Sequence, residues 1–258
     1  MRTLILTLAI LTAFFSQPAF AQELSQGAIR NRLLQTVTRD FATHVKAAGL
    51  TGYIQKGHVP MNVIDRKFRD VVDKKMNYPI STLEAKLLVR YPQHIPRIKF
   101  VKEMSYAMTQ RICKDDEAEG NETDSARHFI AGFSLALLAG EKFAHQYLTA
   151  HEGWMLDQNL DEYTGYNFAS GIMDLHNNVI GLLAARKYKQ TYGILNLEVE
   201  LHTRSLEQIK TLALEALKQA RRENKLLAVY AKDGACSQIS QREKFRKRLG
   251  LSSETAIW

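Results

Sequence analysis

Asp124-Ser125-Ala126-Arg127-His128-Phe129-Ile130-Ala131-Gly132-Phe133-Ser134-Leu135-Ala136-Leu137-Leu138 is a charged first turn followed by an almost wholly apolar run. A helix that is apolar nearly all round is buried, so this segment predicts a central helix. Asp124 and His128 stand one turn apart, and their stripe continues through Ala131, Gly132, Leu135 and Ala136. Small residues there let a second helix approach closely. Phe168 to about Lys189 has the same character. In it Ser170, Asp174, Asn177, Asn178 and Gly181 form a narrow polar stripe between Ile172, Met173, Leu175, Val179, Ile180 and Leu182. Between these two lies a shorter helix, Glu141 to Glu152, bounded by Gly140 and Gly153. It carries His151 on its apolar side with Ala144, Tyr147 and Leu148.

The flanking chain is also helical in pattern. Ile29, Leu33, Val37, Phe41 and Val45 recur at helical spacing from Leu24 to Ala48, and Gly49 is a stop. Residues 51–60 read as a loop, and Asn62 to Met76 as a helix that Pro79 ends. Ser81 and Glu84 have the spacing of a capping box, opening a helix to about Arg90. Pro92 and Pro96 separate it from a helix running through Phe100, Met104 and Met108 towards Cys113. Lys114 to Thr123 reads as an acidic surface loop and Trp154 to Asn167 as a longer one, with Tyr163 and Tyr166 shaping a mouth. Tyr192 to Val199 suggests a short extended piece, and Ser205 opens an amphipathic helix to about Glu223. No repeat, Gly-rich phosphate loop or βαβ pattern is present. The fold class is all-α, an irregular helical bundle with two central apolar helices.

The chain has 258 residues, 45% hydrophobic and 24% charged, an ordinary globular composition. Arg2, the apolar run Leu4 to Phe15, and Ala19-Phe20-Ala21 have the three regions of a secretory signal peptide over residues 1–21. The mature chain is then exported, to the periplasm or beyond, and no later stretch is long enough to span a membrane. The expected divisions are a helical region at 22–115, a helical core domain at 116–230 and a basic tail at 231–258. Export makes a Cys113–Cys236 disulfide plausible, with a stabilising effect of about 2–4 kcal/mol. The net charge of +8 favours anionic surfaces. Its excess lies late, at Arg221, Arg222, Lys225 and Arg242 to Arg248, suiting peripheral contact with membrane or nucleic acid.

Three clusters carry the chemistry: Asp124-x-x-Arg127-His128, His151-Glu152, and Asp174 with Asn177 and Asn178. Polar groups inside apolar helices need partners. Three readings are open. Two imidazoles and a carboxylate (His128, His151, Asp174) can bind a divalent metal such as zinc, with Glu152 as general base. Arg127, Asn177 and Asn178 then bind an anionic substrate, and Asp124 supports His128 or exchanges roles with it. Alternatively the groups form a metal-free acid–base site in which Asp124 or Glu152 raises the basicity of a histidine. In the third reading they are a structural network that fixes helix register. His176 is about 200° from Asp174 at roughly 100° per residue and faces away. His151-Glu152 begins a zincin motif, but Met155 stands where the second histidine belongs. Asp157-Gln158-Asn159-Leu160-Asp161 lacks the glycine and glutamate that complete a calcium loop.

The ordered pattern D-x-x-R-H, A-H-E, M-D-x-x-N-N-x-x-G over Thr123 to Ala185 resembles an uncharacterised bacterial domain family, found in exported proteins and at the ends of some large secreted toxins. The resemblance implies a helical domain with a shared polar site at Asp124, Arg127, His128, His151, Glu152, Asp174, Asn177, Asn178 and Gly181. It implies no reaction. The reading from the residues is an exported metal-dependent hydrolase of an anionic ester or polymer, such as phospholipid or nucleic acid. The alternative is a non-catalytic helical envelope or interaction protein whose clusters only fix packing.

Overall fold

A computed structural model describes residues 39–55, 58–109, 120–154, 165–192 and 206–228. The expected signal peptide, both cysteines, most of the two expected loops, the piece after Tyr192 and the basic tail lie outside the described residues.

Within the described residues the architecture is all-α, with one isolated backbone bridge between Gln55 and His58. After a helical segment at 39–47, seven helices follow in chain order: α1 (Val63–Met76), α2 (Thr82–Arg90), α3 (Ile95–Thr109), α4 (Glu122–Ala139), α5 (Glu141–His151), α6 (Gly165–Thr191) and α7 (Leu206–Arg222). None of the described helices is long and apolar enough to cross a membrane.

Local chemistry sets the boundaries. Asn62 caps α1, accepting from Asp65 N–H while Asp65 accepts from Asn62 N–H. Ser81 and Glu84 form the capping box read from the sequence. Asn121 caps α4 by accepting from Asp124 N–H at 3.0 Å, and Gly140, at φ +85°, turns the chain sharply from α4 into α5. Two expected boundaries move. The supposed surface loop ends early because α4 starts at Glu122, with Asn121, Glu122 and Thr123 buried. Likewise α6 starts at Gly165 rather than Phe168.

Helix α4 is the hub, packed against α3, α5, α6 and α7. Its Phe129, Ile130, Phe133, Leu135 and Leu137 are essentially inaccessible to solvent. A single apolar cluster runs from Phe41 to Leu227, so the residues before 116 share one core with those after. The α4–α6 contact is the most extensive. The two helices run in the same direction. Ser125 meets Met173 at one end, and at the other Ala136 O accepts from Lys189.

They are very close where they cross. A Cβ on Gly132 would lie 2.3 Å from the Asn178 carbonyl oxygen, and one on Gly181 would lie 2.3 Å from the Phe129 oxygen. Alanine in a helix interior is ordinarily favoured over glycine by about 1 kcal/mol, but here its methyl group has nowhere to go. Gly132→Ala and Gly181→Ala should each lower stability by about 1–3 kcal/mol through overpacking, measured by urea denaturation. Gly52→Ala, whose methyl meets nothing within 4 Å, is the neutral control.

Candidate functional site

The polar residues of α4 and α6 meet one turn before this crossing. Asp124, in the first turn of α4, accepts from Gly120 N–H through Oδ2 at 2.6 Å. Its Oδ1 takes an Arg127 N–H at 2.8 Å and lies 3.6 Å from His128 Nε2. His128 Nε2 is 3.2 Å from Asp174 Oδ1 on α6. The other ring nitrogen, Nδ1, is 3.3 Å from Asn178 Oδ1 and 4.0 Å from Glu152 Oε1. One ligand atom from each of Asp124, His128 and Asp174 lies within 4.8 Å of the others, a group that can hold a metal ion.

His151 is near this group but outside it. Its ring centroid is 6.4 Å from that of His128, and its Nδ1 is bound to Glu84 Oε1 at 3.0 Å. Of the set expected from the sequence (His128, His151, Asp174), His128 and Asp174 lie together in this group with Asp124, whereas His151 is bonded to Glu84. Sequence reasoning took Glu84 only as a helix cap. Its other oxygen does accept from Ser81 N–H at 2.6 Å, and Tyr147 bonds the same carboxyl. The available signal was an acidic residue set among Leu83, Ala85, Leu87 and Leu88; Glu84 is only 1% exposed.

The remaining expected residues divide. Arg127 lines the clefts beside the cluster and lies over the Tyr106 ring, 4.7 Å from its centroid. Asn178, buried, orients His128, while its Nδ2 has no hydrogen-bond partner among the described residues. Asn177 is turned away from the cluster. Its amide donates to Leu227 O at 2.8 Å and accepts from Leu227 N–H at 2.9 Å, fastening residues 226–228 to α6. His176 also faces elsewhere, bonding Lys225 O. Glu152 is 2% exposed. Its Oε2 accepts from Trp154 Nε1–H at 3.1 Å, and Oε1 has no hydrogen-bond partner among the described residues.

Burial gives these groups different protonation behaviour. It pushes Glu152 up to about 7 against the opposing pull of His151 and Trp154, with Asp124 and Glu84 adding smaller upward contributions. It pushes His128 down to about 4; the Asp124 charge opposes that shift, and His151 and Arg127 reinforce it. For His151 burial also acts downward, yet the Glu84 carboxylate outweighs it and raises the imidazole to about 9. Glu84 itself is held below the usual carboxylate range: burial opposes its charge, and His151 with the Ser81 and Tyr147 hydrogen bonds overcomes that.

Two clefts open onto the cluster. One, of about 380 Å³, is lined by Glu152, Trp154, Ser170 and Asp174. The other, of about 300 Å³, leads to Ile98, Val101, Leu135 and Leu148. Tyr106, Asp124, Arg127, His128 and His151 border both.

A family model described as a domain of unknown function, DUF6973, matches residues 85–220, more than half of the chain. The chain belongs to that family. No curated protein and no solved structure matches it.

The His151–Glu84 pair has a pH signature. A histidine raised from 6.5 to about 9 contributes stability that is fully present below pH 6.5 and lost as pH rises through 9. Melting temperatures should therefore fall between pH 6.5 and 9 more steeply in the unaltered protein than in Glu84→Gln. NMR titration of His151 should show its pKa dropping in the same variant.

Proposed function

We propose that this member of the DUF6973 family is a metal-dependent hydrolase of an anionic ester, with Asp124, His128 and Asp174 as the metal ligands. The observation that carries the reading is the convergence of those three side chains at the floor of an open cleft. The surrounding groups support it. A metal-binding histidine commonly donates its second N–H to an oxygen acceptor that fixes the ring, and Asn178 Oδ1 stands beside His128 Nδ1 in that position. That tautomer leaves Nε2 unprotonated between two carboxylates. Burial favours the neutral imidazole, the form a ligand needs.

A divalent ion here would polarise the ester oxygen and make a water more acidic. Glu152 lines the same cleft with an oxygen that accepts no hydrogen bond among the described residues and a pKa near neutrality, suited to taking a proton from that water. Arg127 would hold the anionic group of the substrate. The proposal includes export, for which the support is the pattern of residues 1–21, and attraction to anionic surfaces, for which it is the net charge of +8.

Elemental analysis of the full chain, purified without chelator and then equilibrated with zinc or manganese, tests the site. His128→Ala, Asp124→Asn and Asp174→Asn should each lose the metal, whereas His151→Ala should keep it. Asn178→Ala should weaken metal affinity by about 10–100-fold. Glu152→Gln should retain metal but lower hydrolysis of 4-nitrophenyl esters or phosphodiesters by about 10²–10⁴-fold. A folded protein that takes up no metal would sink the metal reading in favour of a metal-free acid–base site or a structural network.

A further inference from the structure

We infer that the substrate is amphipathic, with an anionic group held by Lys102 and Arg127 and an apolar chain lying in the cleft between α3, α4 and α5. This deepens the hydrolase reading and rests on it for the position of the reacting ester. The two clefts differ in chemistry although they share a border. The one at Glu152 and Asp174 is polar. The other runs from the same Asp124 and His128 along Ile98 and Val101 of α3, Leu135 of α4 and Leu148 of α5. Those walls offer little to a sugar or a polymer backbone and suit a hydrocarbon. At about 300 Å³ the space is at the lower end of small-molecule sites, enough for one chain and too narrow for a duplex or a helix.

The charge at its entrance is complementary. Lys102 lines this cleft with its ammonium 3.1 Å above the centre of the Tyr78 ring. The ammonium makes no hydrogen bond or ion pair among the described residues, so the donors that do not face the Tyr78 ring are available to an anion. Arg127 borders the same space. Its guanidinium, held between Asp124 and the Tyr106 ring, adds a second positive charge there. A cation beside an apolar wall recognises a phosphate or carboxylate bearing an alkyl chain. The lipid-like ester is thereby favoured over nucleic acid.

Inorganic phosphate, butyl phosphate and octyl phosphate, the last below its micellar concentration, serve as probes in calorimetric titrations of the full chain with and without bound zinc. Octyl phosphate should bind at least about ten-fold more tightly than butyl phosphate, since each buried methylene adds affinity. Ala131→Phe, which fills the cleft from α4, should erase that gain and leave inorganic phosphate binding and zinc content unchanged. Val101→Phe is the second plug, from the opposite wall, and thermal melting checks that both fold. Lys102→Gln should weaken all three probes alike.

Equal affinity along the series, no binding of any probe, or a chain-length gain that persists in a folded plugged variant overturns the inference. Stoichiometric zinc with no chain-length gain removes the amphipathic substrate and leaves the metal reading intact. A gain in a protein that takes up no zinc does the reverse, leaving the occupant of the cleft and removing the metal.

Discussion

The close crossing of α4 and α6 is the constraint on which the site depends. Gly132 and Gly181 let the two backbones come within a distance that any side chain would forbid. Helical repeat then does the rest. His128 lies one turn before Gly132, and Asp124 one turn before His128. Asp174 and Asn178 precede Gly181 on the facing helix. With the glycines in contact and the helices parallel, the imidazole has only short side chains between itself and the opposing carboxylate. Wider spacing would leave aspartate and asparagine too short to reach. The same glycines therefore decide both how α4 is buried and whether Asp174 is within range of His128.

Electrostatics separates two imidazoles that look alike in sequence. His128 is surrounded by carboxylates yet disfavours protonation, because burial, Arg127 and His151 outweigh Asp124. His151 is more accessible, and its partner Glu84 is almost fully enclosed, so the imidazolium is held. One ring is thus suited to donate a lone pair and the other to carry a proton, some 6 Å apart by their centroids. Glu152, beside both, sits near the midpoint of its titration at neutral pH. Groups pushed apart in this way are the usual arrangement where one residue must give and another take a proton.

Local signals made most of the fold legible. Periodicity, capping spacing and helix-stopping residues placed α1, α2, α4, α5 and α7 within a few positions, and the small-residue stripe announced the crossing. The candidate site was legible only in part. Asp124, His128 and Asp174 come from the clusters the sequence singled out, but the assignment of ligands depended on pairings across long separations. Asn177 and Asn178 are adjacent in one polar stripe and about 100° apart around the helix. One reaches His128 and the other Leu227, 50 residues further on. Nothing local distinguishes them. Lys102 and Tyr78 were invisible for a similar reason: a lysine on an otherwise ordinary helix and a tyrosine before a proline gain meaning only when their ring and ammonium meet.

Glu84 shows why a satisfied local explanation can hide a second role. Its Oε2 closes the capping box with Ser81 and starts α2, which accounts for the residue fully at the level of sequence. Its Oε1 nevertheless holds His151, 67 residues away, while Ser81 Oγ donates to Ala150 O in the same α5 turn. The start of α2 and the end of α5 are thus tied by two bonds from one cap. A displacement of α2 would release the His151 ring and open the border of both clefts together. Secondary-structure initiation and site geometry therefore share one carboxylate, and the helix that first looks remote from the chemistry sets the charge of its second imidazole.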